Sequence, residues 1–123
     1  MKRKSYRKQR RRVAQLFDTW TYRLGLRWWT IRVLYYNRRK RFKHAADHET
    51  FARVYADWRY LNATIEINLP CAKRLDDAEL EAAVVHELCH ILVNEMSTTA
   101  LRTTGEEHVC TTLAQAFIWT RTL

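Results

Sequence analysis

Leu80-Glu81-Ala82-Ala83-Val84-Val85-His86-Glu87-Leu88-Cys89-His90-Ile91-Leu92-Val93 is an apolar run free of Gly and Pro, and a His-Glu-x-x-His pattern is set inside it. Leu80, Val84, Leu88, Ile91 and Leu92 recur at helical spacing, and Val85 and Cys89 widen the stripe, so the run reads as a buried central helix. Residues four apart on a helix lie only about 40° apart around its axis. The imidazoles of His86 and His90 therefore point into one space and can share a metal ion. Glu87 stands beside His86, within reach of a water on that ion. A core helix holding two neutral histidines is the plainer alternative, but an ionised glutamate between them is costly to bury without a cation.

The start of this helix is written just upstream. Asp76 and Asp77 are N-cap candidates, and Glu79 follows Asp76 at the spacing of a capping box. The helix is expected to end near Met96.

Earlier in the chain, Val13, Leu16, Phe17, Trp20 and Leu24 form one apolar helical face, and Gly25 stands where a C-terminal stop belongs. A helix over about 6–24 follows. Residues 28–36, 51–58 and 63–69 alternate between apolar and polar side chains and predict three strands, with a turn within 57–62. The alternation assigns Trp28, Trp29, Tyr35 and Tyr36 to packed positions. Pro70 closes the third strand, and a loop runs on to Asp76. A Thr-rich connection over 94–105 leads to a last helix from about Glu106, with Val109, Cys110, Leu113, Ala114, Ala116, Phe117 and Trp119 as its apolar positions. The order helix, three strands, helix, helix is that of an α+β domain.

With 123 residues, 47% of them apolar, the chain suits a single globular domain that buries roughly two-thirds of its unfolded surface. No apolar run approaches the roughly 20 residues of a membrane span, and the basic N-terminus lacks the apolar core of a signal peptide. Cys71, Cys89 and Cys110 are odd in number, with no C-x-x-C pair, and read as reduced thiols of a cytoplasmic protein. Cys89, between the two histidines, reads as core packing rather than as a ligand.

Charge divides the chain. Residues 1–43 carry 16 of the 22 Lys and Arg and one acid, Asp18, whereas 12 of the 13 acids lie beyond them. Residues 1–12 form a basic arm ahead of a domain over 13–123, and residues 38–43 form a second basic cluster. Both point to a polyanion contact, nucleic acid or nucleoprotein. The alternative function is thus a basic nucleic-acid-binding accessory protein whose metal site is structural or vestigial.

Two histidines do not complete a catalytic zinc site, which takes three protein ligands and an open position. Glu95, Glu106, Glu107 and His108 lie downstream. Glu95 is only five residues beyond His90 and points elsewhere on the same helix. Glu106 and Glu107 open the last helix, which could fold back and present a carboxylate to both imidazoles; the helix dipole favours a negative charge there.

In Val54-Tyr55-Ala56-Asp57-Trp58, Ala63-Thr64-Ile65-Glu66-Ile67, the His86–His90 motif and Glu106-Glu107-His108-Val109-Cys110-Thr111-Thr112-Leu113-Ala114, the chain resembles the minimal zincin metallopeptidases. These are the small gluzincin-like and SprT-like proteins found in phages and prophages. The resemblance covers most of residues 26–117. It implies a minimal zincin-like fold with an N-terminal helix, a three-stranded mainly antiparallel sheet, the motif helix and a C-terminal ligand helix. In the family the third ligand is a glutamate three residues before a small apolar residue and followed by a Leu/Phe-Ala pair. That pattern selects Glu107, ahead of Cys110 and Leu113-Ala114, with Glu106 still open.

The implied activity is zinc-dependent hydrolysis of a protein or peptide substrate. One Zn²⁺ on His86, His90 and Glu107 would activate a water, and Glu87 would act as general base. The resemblance also implies that strand three is a sheet edge pairing with an extended substrate. Tyr55, Tyr60 and His108 are candidates for oxyanion stabilisation. No zinc ribbon is present, so the crosslinked-DNA recognition of cellular SprT-like proteins does not carry over. No third histidine continues the motif as metzincins or ribosomal-RNA-processing metallohydrolases require.

Overall fold

A computed structural model describes residues 5–38, 50–94 and 104–121. Helix α1 covers Arg7–Arg23 and buries Val13, Phe17 and Trp20, the middle of the expected stripe. Its first turn carries no acid and several cations, which the helix dipole disfavours. Long-range contacts compensate: Arg12 donates to Asp77 Oδ1 at 2.8 Å, and Arg10 lies over the Tyr35 ring at 4.8 Å. The helix ends in a Schellman motif. Gly25, at φ +71°, donates to Tyr22 O at 3.2 Å, and Leu26 donates to Thr21 O at 2.9 Å.

Strands β1 (Thr30–Tyr36), β2 (Ala52–Asp57) and β3 (Asn62–Asn68) form one sheet in the order β1-β3-β2. The β2–β3 ladder is antiparallel as expected, whereas β1 pairs with β3 in parallel, so the sheet is mixed. Strand three is therefore not an edge: β3 is the centre, and β1 and β2 are the edges. Alternation tells which face a residue occupies but not which strand lies beside it. The faces themselves agree with the sequence reading. Ile31–Ala63–Ala56, Val33–Ile65–Val54 and Tyr35–Ile67–Ala52 are registered rows on the inner face. Ala52, Ala63, Ile65 and Ile67 are buried in these rows.

Residues 70–75, expected as a loop, lie instead in and just after a short helix, α2 (Leu69–Arg74), which takes in Leu69, the expected last residue of strand three. Pro70 occupies its first turn, where no N–H is needed, and so opens a helix as well as ending a strand. Buried Asn68 makes the corner: its Nδ2 donates to Thr50 O at 2.9 Å and its Oδ1 accepts from Cys71 N at 3.4 Å.

Helix α3 spans Asp77–Leu92 and opens with the expected capping box, in which Glu79 N donates to Asp76 Oδ1 at 2.7 Å and Asp76 N donates to Glu79 Oε1 at 3.0 Å. It ends at Leu92, and Met96 lies outside the described residues. Leu80, Val84, Val85, Leu88, Cys89 and Ile91 are buried, while Leu92, placed in the stripe by spacing, reaches the surface. Helix α4 (Thr104–Thr120) starts two residues before the expected Glu106 and packs Cys110 and Ala114 on α3. Val109 and Trp119, expected among its packed positions, are exposed. Glu81 ties three helices together, accepting from Trp20 Nε1 at 2.9 Å and from Arg121 Nη2 at 2.6 Å. Chiefly through its hydrogen bond to Arg121, Glu81 titrates below the usual carboxylate range. Among the described residues no helix is long and apolar enough to cross a membrane.

Candidate metal centre

Burial of the Leu80–Val84–Leu88–Ile91 stripe turns the neighbouring face of α3 toward α4 and β2. His86 and His90 stand on that face, one turn apart, their ring centroids 5.0 Å apart and their planes at 74°. Helix α4 brings its acidic first turn to them. Glu107 Oε2 is 3.2 Å from His86 Nε2, and Glu107 Oε1 is 2.9 Å from His90 Nε2. Among the described residues, His86, His90 and Glu107 form a group whose ligand atoms all lie within 4.8 Å of one another.

The far nitrogens are held as well. His90 Nδ1 lies 2.6 Å from Glu106 Oε2, and His86 Nδ1 lies 3.3 Å from Thr111 Oγ1. With Nδ1 of each ring held by an oxygen, a tautomer protonated there would present both Nε2 lone pairs to a metal. Tetrahedral zinc with bonds of about 2.0–2.1 Å puts neighbouring ligand atoms roughly 3.3 Å apart, close to the 3.2 and 2.9 Å between the Glu107 oxygens and the two Nε2 atoms.

Electrostatics run the same way. Burial, with His90 adding to it, holds the His86 imidazole below its ordinary pKa against the pull of Glu107, so it is neutral at pH 7. Burial, assisted by the Glu107 charge, pushes the Glu87 carboxyl up to about 8. A carboxyl with that value beside a cluster of ligand atoms is one a nearby cation would ionise. Cys89 and Cys110 are fully buried, and burial pushes both thiols up to about 12, which makes them core groups rather than thiolate ligands.

A cleft of about 730 Å³ opens beside the cluster. Glu87, His90, Glu106 and Glu107 line one side of it, and Ala52 to Asp57 of β2 line the other. Asn94 Oδ1 accepts from Trp58 N at 3.0 Å and joins the end of α3 to the turn after β2. Of the residues singled out in the sequence, the structure brings together His86, Glu87, His90, Glu106 and Glu107. It leaves His108 exposed on α4 and outside the cluster. Tyr55 lines the cleft, Tyr60 does not and is exposed, and Glu95 lies outside the described residues. Thr111 was not singled out in the sequence. Its signal was its place four residues after Glu107, on the same helical face.

Comparison with known proteins gives one match. A family model described as "Putative phage metallopeptidase" matches residues 7–113. No curated protein and no solved structure matches.

Proposed function

The chain belongs to the phage metallopeptidase family, and on that premise we propose that it is a zinc-dependent endopeptidase of the His-Glu-x-x-His type. The observation that carries this reading is the convergence of the His86 and His90 Nε2 atoms on one carboxylate, Glu107, at 3.2 and 2.9 Å. His86, His90 and Glu107 would hold the ion. Bound there, zinc would supply Lewis acidity for the scissile carbonyl and ease ionisation of the attacking water.

The chain's own groups do the rest. Glu87, ionised by the cation beside it, accepts the proton of the attacking water and delivers it to the leaving amine. Glu106 holds the ring of His90 by accepting from Nδ1–H, and Thr111 helps to orient that of His86. Substrate pairing falls to β2 in place of strand three. As an edge strand along the cleft wall it offers backbone groups to an extended peptide, with Tyr55 beside it as the oxyanion candidate that lines the cleft. Three free thiols, two of them buried, support a cytoplasmic setting.

The test is metal analysis with peptide cleavage on wild type and Glu87→Ala. Both should hold about one zinc per chain, while the variant cleaves about 10²- to 10⁴-fold more slowly. Equal cleavage by the variant would remove Glu87 as the base. A wild type that holds zinc and binds nucleic acid, yet hydrolyses no peptide in a broad library, would favour the accessory-protein alternative.

A further inference from the structure

Alternation assigned Trp28 to a packed position, yet it is 86% exposed, and Tyr60 is 76% exposed. Tyr22, Tyr55 and Trp58 are also exposed. They gather at one end of the sheet. Thr30 N donates to Leu61 O at 2.8 Å, which ties the segment carrying Trp28 to the β2–β3 turn carrying Trp58 and Tyr60. Tyr55 shares an outer-face row with Arg32, across Thr64. Tyr22, in the last turn of α1, carries the Arg27 guanidinium over its ring at 5.2 Å.

Arginines alternate with the rings. Arg27 and Arg32 are exposed, as is Arg59, which shares the turn with one acid, Asp57, at 3.4 Å. An apolar protein partner would have to desolvate these guanidinium groups, a cost that a purely greasy contact does not repay. A ligand with flat π-faces and a negative backbone uses both residue types: bases stack on the rings while phosphates meet the arginines. In a duplex the base faces are already stacked on one another and closed to such rings. The strongly basic first third of the chain, 16 Lys and Arg in residues 1–43, supplies the matching field.

We propose that the turn end of the sheet, centred on Trp28 and Tyr60 with Arg27, Arg32 and Arg59, is a binding surface for single-stranded nucleic acid. It refines the polyanion contact expected of residues 2–12 and 38–43, of which 2–4 and 39–43 lie outside the described residues. Tyr55 and Asp57 also line the cleft, so a strand on this surface reaches the cleft rim and would bring strand-bound protein to it. Binding itself does not depend on the metal.

The experiment is fluorescence anisotropy of the full chain with labelled oligo-dT and oligo-rU of about 16 nucleotides, the upper end of single-strand site sizes. A duplex of equal length serves as comparison, and each titration is run at several salt concentrations. Wild type should bind at least one single strand more tightly than duplex, and the oligo-dT and oligo-rU arms tell DNA from RNA. Trp28→Ala/Tyr60→Ala should weaken that binding by about tenfold or more with the thermal midpoint unchanged, since both rings lie outside the core. Arg7→Gln/Lys8→Gln/Arg11→Gln, on the exposed face of α1, should instead flatten the salt dependence and keep the single-strand preference. Equal affinity for duplex and single strand, or unchanged binding by the Trp28/Tyr60 variant, would overturn the proposal. So would a wild-type dimer that this variant dissolves, because the patch would then join two copies of the chain.

Discussion

Glu106 and Glu107 are neighbours of identical chemistry, and about 100° of helical rotation separates their tasks. Glu107 reaches the Nε2 atoms of both histidines, while Glu106 meets Nδ1 of His90. Spacing left the two open as third ligand, because both lie in the first turn of the same helix, and its rotation about its axis depends on how Cys110 and Ala114 pack on α3. On the proposed reading, Glu106→Ala weakens zinc binding about 10- to 100-fold by freeing the His90 ring, and Glu107→Ala weakens it further by removing a ligand. Competition titration against a chromophoric chelator reads both affinities. The reverse order would exchange the two roles.

At the scale of elements, the signals that proved reliable act within a few residues. The Asp76–Glu79 capping box formed as its spacing implied, and Gly25 stopped α1. A Cβ added at Gly25 meets nothing within 4 Å, so Gly25→Ala should cost only the left-handed backbone, about 1–2 kcal/mol. Urea denaturation would measure it, and unchanged stability would mean that the loop adopts another path at no cost. Helix α2 was missed because Pro70 reads equally well as the end of a strand and as the first turn of a helix. Asn68 decides between them with hydrogen bonds to Thr50 and Cys71, one of them 18 residues away. The exposure of Trp28 was missed because alternation was extended two residues beyond the first paired position, Thr30.

Across the whole molecule, the candidate metal centre joins α3, α4 and the β2 wall of the cleft, so its charge state bears on folding. Glu87 titrates at about 8 in the folded metal-free chain, against 4.5 for an unperturbed group. Between those values the unfolded chain has released a proton that the folded chain retains, so this group's contribution to stability falls as pH rises from about 5 to 8. Glu87→Gln should flatten that slope in the chelated protein, and zinc should do the same for wild type by favouring the carboxylate. Thermal midpoints across this range, with and without chelator, would test it; a wild-type slope that the substitution leaves intact would assign the effect to another group.

The sequence by itself determined the α+β class, the order of the elements apart from α2, the inner face of each strand, the start of α3 and the pairing of His86 with His90. Each rests on the 3.6- and 2-residue periods or on a cap a few residues long, which covalent geometry imposes whatever surrounds it. Only the tertiary structure decided that β3 is central, that β1 runs parallel to it, that Glu107 rather than Glu106 meets both Nε2 atoms, and that Trp28 faces solvent. Those outcomes turn on groups far apart in the chain, Thr30 against Asn62 and His86 against Glu107, and no local period carries information about the partner a distant segment will meet.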